Sequence, residues 1–411
     1  MKKNLLVAQS GGPSSAINAT LSGILEEAIK SREIDKVYGG INGIYGILSR
    51  QLVELTGQIK TNEDFRLLET TPGMALGSCR FQLPAPSADS KLYDRILKTF
   101  EDYNIGYFLY LGGANSMDTV KKLSGYFAEK GADIKVIGVP KTVDNDMPCT
   151  DHTPGFGSAA KFIATSMLEI IRDSEAYPVS SVTIVEIMGK ESGWLTASSI
   201  LPRSIGNKAP HLVYLPEVPF SMGQFINDVQ EAMKKERAVI IAVSEGIQFS
   251  DGTYVSQPQT GEQEYAGVGQ VLERALVSTI GGKIRSVVLN VLQRCSGHLL
   301  SGTDIAEARK IGETAVHTAL AGETGKIQVF ERVSDMPYIA EIKAVPVEDM
   351  IAGGIKTFPL EWISEENNDL TQAALDYLLP LIEGEVHCPV KMGLPVHFRF
   401  DLTPAKAPEA E

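Results

Sequence analysis

Cysteine is scarce: Cys79, Cys149, Cys295 and Cys388 are scattered through 411 residues with no C-x-x-C pair. That scatter excludes a disulfide framework and a structural zinc site, and fits reduced thiols. Positive charge is short as well. Lys and Arg number 38 against 51 Asp and Glu, a net charge of −13. An extended nucleic-acid footprint needs a basic face, so no nucleic-acid partner is expected. Any anionic substrate must meet a local basic pocket, against the overall field. No apolar run approaches the ~20 residues that span a bilayer. The apolar stretch behind Lys2 and Lys3 is too short for a signal peptide. No G-x-x-x-x-G-K followed by Ser or Thr occurs, which excludes that nucleotide cradle. Internal repeats and low-complexity blocks are also missing. These absences describe a soluble cytoplasmic protein with no membrane contact.

What is present is an ordinary globular mix, 43% hydrophobic and 22% charged, in a chain long enough for about two domains. Short β-branched or aromatic runs at 5–8, 107–111, 134–139, 182–187, 212–215, 238–243 and 286–292 read as buried strands, most of them followed by helical periodicity. Strands alternating with helices predict an α/β fold, mostly parallel sheets with helices on both faces. In such sheets ligands bind at the carboxyl ends of the strands, and polar residues gather there in both halves of the chain.

The loop after the strand at 134–139 holds the richest cluster: Pro140, Lys141, Thr142, Val143, Asp144, Asn145 and Asp146. Two acids two residues apart, with Lys and Thr just before them, can gather a metal, a phosphate and an abstractable proton. An Asp-rich turn without chemistry is the alternative. Gly11 and Gly12 follow the first strand and precede a helix that Ser14 or Ser15 can cap. Such a turn offers backbone N–H groups to an anion, or is simply a tight connection. Gly112, Gly113, Asn115 and Ser116 repeat the arrangement. Arg80 can be a phosphate clamp or a surface arginine. Gly155 to Ala160 fits G-x-G-x-x-A, but a Thr-Pro turn precedes it, so a dinucleotide site is rejected. His152 reads as a loop hydrogen-bonder. Asp304 and Glu307 read as a capping pair for the helix that reaches Leu320.

Taken in order, Ser10-Gly11-Gly12, Gly112-Gly113 before Ser116, the 140–146 loop, Met188-Gly189, Ser244-Glu245-Gly246 and Gln293-Arg294 resemble the phosphofructokinase family over about residues 4–330. The resemblance implies two similar Rossmann-like three-layer domains with the active site in the cleft between them. Residues 1–155 with about 293–345 would form a phosphate-donor domain, and 156–292 with about 346–400 a sugar-phosphate domain. The tail 402–411 is expected to be flexible. The implied reaction is phosphorylation of fructose 6-phosphate on its 1-hydroxyl. Asp144 matches the catalytic base, Thr142 lies beside the transferred group, and Asp146 matches an acid that binds magnesium. Met188, Gly189, Lys190, Glu245, Arg285 and Arg294 match positions that hold the sugar phosphate. A homodimer or homotetramer is implied.

Family members that use ATP usually have glycine where this chain has Lys141, and a glycine two residues after Gly113. Members that use pyrophosphate resemble this chain in having the lysine. A point charge suits a compact diphosphate, and the Asn115 side chain narrows the space that a longer donor would cross. Pyrophosphate is therefore the expected donor, with an ATP-dependent sugar-phosphate kinase as the alternative. The chain also departs from the family pattern: Ala114 and Asn115 stand where Asp is common, Lys190 where Arg is expected, Ser181 where a basic residue is frequent, and Val291 where His or Tyr is common. Those departures keep a second alternative open, a catalytically weakened regulatory homologue.

Overall fold

The computed structural model describes residues 2–256 and 267–407. Five strands come first in the chain: β1 (Lys3–Gln9), β2 (Ile34–Gly40), β3 (Leu52–Glu54), β4 (Ile105–Gly112) and β5 (Lys135–Pro140). Then come β6 (Ser181–Ile187), β7 (Leu212–Tyr214), β8 (Ala238–Ser244) and β9 (Lys283–Val288). The chain next returns to the first group with β10 (Lys326–Asp335) and β11 (Tyr338–Pro346), and adds a small hairpin, β12 (Val390–Lys391) and β13 (Leu394–Pro395). The first sheet runs β11-β10-β5-β4-β1-β2-β3 and the second β7-β8-β6-β9. The second sheet is parallel throughout; the first is antiparallel only at its two edges, β2–β3 and β10–β11.

Both sheets are covered on both faces, which is why their strands read as unbroken apolar runs. In β1, Leu5 and Val7 enter one core with Leu109, Leu111, Ile137 and Val139. Leu6 and Ala8 enter the opposite core with Phe108, Tyr110 and Val136. The second sheet divides in the same way. Val185, Ile187, Ile240 and Ala242 face the helix Phe156–Glu175, while Ile184, Val239 and Val243 face the helices Met222–Lys235 and Val268–Thr279. The result is two Rossmann-like three-layer α/β units. Beside the first sheet the helices Ile17–Lys30 and Gly302–Leu320 cross at backbone contact. A Cβ on Gly23 would meet the Arg309 carbonyl oxygen at 2.1 Å, and one on Gly312 would meet that of Thr20 at 2.2 Å. Among the described residues no helix is long and apolar enough to cross a membrane.

Four expectations need correction. The strand expected at 286–292 is Lys283–Val288, and Leu292–Cys295 is a helical turn. Asn290, at φ 43°, bends the chain between the two. Residues 346–400 do not stay with the second sheet. Val347 and Met350 pack into a core of the first, as does Phe400, whereas Phe358, Leu375 and Leu378 pack against the second. The tail is held over 402–407: the Ala405 N–H donates to the Leu52 carbonyl at 2.7 Å, and the Tyr103 hydroxyl donates to the Ala405 carbonyl at 2.8 Å. Residues 408–411 lie outside the described residues. Last, Ser301 caps its own helix by accepting from the Asp304 N–H, which leaves Asp304 and Glu307 free for other partners. Asp304 accepts from the N–H groups of Gly155 (2.8 Å) and Ser158 (2.9 Å), so it caps the helix Phe156–Glu175 instead.

Candidate active site

The carboxyl ends of β1, β4 and β5 deliver three loops to one place. Gly11 takes φ 78°, a left-handed conformation that glycine adopts without strain. Its carbonyl accepts from the Ser78 hydroxyl at 2.6 Å, and its N–H reaches the Cys79 carbonyl at 3.5 Å. Arg80, next in the chain, is exposed beside that loop. The second loop starts the helix Ala114–Glu129 at Gly113, with no capping side chain and no acid in the first turn, which leaves its N-terminus suited to an anion. Asn115 is exposed on that turn, and Ser116 is buried under it, its Oγ against Gly112.

In the third loop the Lys141 N–H donates to the Gly112 carbonyl at 3.0 Å. Its buried ammonium reaches back to the Gly12 carbonyl and lies 3.4 Å from where a Gly11 Cβ would be. Burial pulls the Lys141 ammonium down to about 8, although Asp144 and Asp146 favour its charge. The Asp144 N–H donates to the Thr142 hydroxyl oxygen at 3.1 Å. Burial, with Asp146 and then Glu245 adding to it, holds the Asp144 carboxyl well above the ordinary carboxylate range. Asp146 is raised too, again first by burial. Two neighbouring acids that burial holds protonated more readily than usual are poised to take up a cation or a proton.

The second sheet supplies the facing wall. At the end of β6 the Met188 N–H donates to Gln293 Oε1 (3.2 Å) and the Gly189 N–H to Glu245 Oε1 (3.2 Å). The Ser192 hydroxyl donates to the Asp144 carbonyl at 3.3 Å and joins the two walls. Arg294 crosses toward the other side: its Nη1 is 3.4 Å from where a Gly12 Cβ would be. It therefore lies over the glycine loop, one residue after the Gln293 that accepts from Met188. Lys190 stands near Tyr254, its Nζ 5.8 Å from the ring centroid.

Arg285 does not join this group. It pairs in register with Thr183, five residues before Met188 and so roughly 16 Å down the strand at ~3.3 Å per residue. Its guanidinium is engaged there by Thr183 (3.1 Å), Ser174 (3.1 Å) and Asp173 (2.5 Å). A side chain spent on the far end of the helix Phe156–Glu175 cannot line this chain's own cleft.

Two participants escaped the sequence reading. Lys356 follows Gly353 and Gly354 in a stretch without helical or strand periodicity, and Tyr377 lies on the short helix Gln372–Leu378. Both reach the 145–151 loop. Burial pulls the Lys356 ammonium down to about 7 against the pull of Asp151 and Asp146.

As for a metal, among the described residues no three or more His, Cys, Asp and Glu side chains gather into a site of their own. Asp144 and Asp146 offer two carboxylates. Magnesium commonly takes one or two carboxylates and completes its shell with substrate phosphate and water, so the pair fits that ion.

Comparison with known proteins places the chain. Residues 4–332 match the phosphofructokinase family model. The chain is 38% identical over 399 residues to the pyrophosphate–fructose 6-phosphate 1-phosphotransferase of Halomonas elongata, covering 95% of this chain and 94% of that one. It is 36% identical over 400 residues to the protein of the same name from Methylococcus capsulatus, covering 96% and 94%. The crystal structure of a pyrophosphate-dependent phosphofructokinase from Marinobacter aquaeolei superposes with a TM-score of 0.89 at 34% identity, covering 99% of this chain and 98% of that one. With the family model matched over most of its length and relatives this similar along nearly the whole chain, this chain belongs to the phosphofructokinase family.

Proposed function

We propose that the protein transfers a phosphoryl group from pyrophosphate to the 1-hydroxyl of fructose 6-phosphate, reversibly, giving fructose 1,6-bisphosphate and phosphate. One observation carries the choice of donor: the Lys141 ammonium is buried against the Gly11–Gly12 loop. There it is a point charge at the end of a short anion cradle, where a diphosphate can terminate. The names of the relatives support the same donor and acceptor.

In this reading Asp144 accepts the proton of the 1-hydroxyl as that oxygen bonds to the nearer phosphorus, and the bridging P–O bond breaks to release phosphate. Phosphoryl transfer needs positioning and charge neutralisation more than covalent catalysis. Lys141, Thr142, the Gly11–Gly12 loop with the Gly12 N–H, the Gly113 N–H, Asn115, Ser116 and Arg80 hold the donor. Met188, Gly189, Lys190 and Glu245 hold the sugar, and Arg294 serves both. Asp146, with Asp144 beside it, would hold magnesium, which supplies charge neutralisation at the phosphate oxygens. The enzyme works in the cytoplasm as a homodimer or homotetramer, with Arg285 outside its own cleft.

A coupled assay of the purified protein tests this reading, with pyrophosphate and then ATP as donor. Turnover with pyrophosphate well above that with ATP is expected. Turnover with ATP alone would transfer the assignment to an ATP-dependent kinase. Activity with neither would leave a regulatory homologue.

A further inference from the structure

The acids Asp144 and Asp146 are separated by Asn145, which is fully buried and takes φ 54°. Its side-chain amide is gripped at both ends. Lys356 Nζ donates to Asn145 Oδ1 at 3.0 Å, and Asn145 Nδ2 donates to the Tyr377 hydroxyl oxygen at 3.3 Å. The Tyr377 hydroxyl in turn donates to the Asp151 carbonyl at 2.7 Å.

An ammonium has three N–H donors. In Lys356 the remaining two meet the carbonyls of Thr150 (3.2 Å) and Asp151 (2.6 Å). All three acceptors thus lie on the one loop that carries the paired acids. The Lys356 backbone N–H adds a bond to the Asp146 carbonyl at 2.8 Å. Lys356 is itself held by Trp194, whose indole N–H donates to the Lys356 carbonyl at 3.2 Å and whose ring centroid is 4.9 Å from Nζ. A buried lysine is expensive unless its charge and donors are used. Here all three donors are used on the 145–151 loop.

The two clamping residues come from a different part of the fold. Asp144 and Asp146 follow β5 of the first sheet, whereas Phe358, two residues after Lys356, and the helix that carries Tyr377 pack into the core of the second. We infer that Lys356 and Tyr377 are positioning residues for phosphoryl transfer, acting through the Asn145 side chain to set where Asp144 and Asp146 stand. This inference rests on the reaction proposed above. Neither residue needs to touch substrate, and a small displacement of reacting groups is enough to cost up to about 10²-fold in rate.

The test compares the wild type with Lys356→Met, Tyr377→Phe and the double variant, each saturated with fructose 6-phosphate and with whichever donor the wild type uses. Lys356→Met keeps the volume and removes the donors. It should lower kcat by about 10- to 100-fold while both KM values stay within about threefold. Tyr377→Phe should lower kcat by a smaller factor. Because both act on one side chain, the double variant should fall short of the product of the single losses. Lys356→Gln, which restores one donor toward Asn145, should recover part of the loss.

A Lys356→Met enzyme within twofold of wild-type kcat, losses confined to KM, or strict multiplicativity would each overturn the inference. If Lys356→Met fails to fold, Tyr377→Phe decides: an unchanged kcat overturns it, and a lowered kcat at unchanged KM supports it. A wild type inactive with every donor would sink the reaction itself, and the inference with it. An active wild type with indifferent variants would sink the inference alone.

Discussion

Lys141 is buried and Asp144 half-buried beside it, and each is displaced from its ordinary ionisation by loss of water before any neighbour acts. A carboxylate with a raised pKa that faces a lysine is suited to work as a base near neutrality. Asp144→Asn keeps the shape and removes that capacity. Turnover should fall by about 10²–10⁴-fold with fructose 6-phosphate binding retained, as checked by steady-state kinetics and calorimetry. Near-normal turnover would take the role of base away from Asp144. Asn115 is exposed on the first turn after Gly113, so Asn115→Gly should raise ATP use without disturbing the core; the ratio of kcat/KM values for the two donors reads this directly. These residues were legible because they end strands, and loops at strand ends collect chemistry whatever the fold's details. Arg285 falls outside its own cleft for a related reason. A match in order along the chain says nothing about which end of a strand a side chain serves, and this one serves Asp173. Lys356 was invisible because no periodicity marks its surroundings.

The helix Phe156–Glu175 starts at Gly155, in the left-handed region at φ 102°, with no cap from its own segment. Asp304 provides the cap from another helix, fully buried. Asp304→Ala would leave two buried N–H groups without an acceptor, and should cost about 2 kcal/mol or more. A lowered urea midpoint at unchanged m-value would register that cost, and an unchanged midpoint would mean that water replaces the carboxylate. The spacing of Asp304 and Glu307 reads as a local capping pair, but the local cap is Ser301, which accepts from the Asp304 N–H. The carboxylates go elsewhere because only tertiary packing shows which neighbouring groups lack a partner.

Across the whole molecule, His152 ties the loop behind the acids to both the helix Gly302–Leu320 and the β10–β11 edge. Its ring stacks on Phe330 at 4.5 Å, Nδ1 meets Asp151 at 2.9 Å and Nε2 meets Glu307 at 2.8 Å. Glu307 also accepts from Tyr338 at 2.8 Å, and Asp151 from Arg332 at 3.1 Å. Burial alone would lower the imidazole, but its bonds to Asp151 and Glu307 outweigh it and raise the pKa above 6.5. A raised folded-state pKa gives stability that is full below the unfolded value and is lost as pH rises through the folded one. The wild type should therefore lose more stability than His152→Asn as pH rises from 6.5 through the raised folded-state value, by at most ~1.4 kcal/mol per pH unit for one proton. Parallel stability–pH curves from chemical denaturation would reject the charged histidine.

The order of the first sheet has a consequence for synthesis. β5 lies between β4 and β10, yet the whole second sheet is encoded between β5 and β10. On the ribosome the open side of β5 must wait roughly 190 residues for its partner, about 10–40 s at ~5–20 residues per second. During that interval a nascent chain carries an unpaired, apolar strand edge, the kind that pairs with neighbours on a polysome. A gene truncated after the second sheet would make that state permanent.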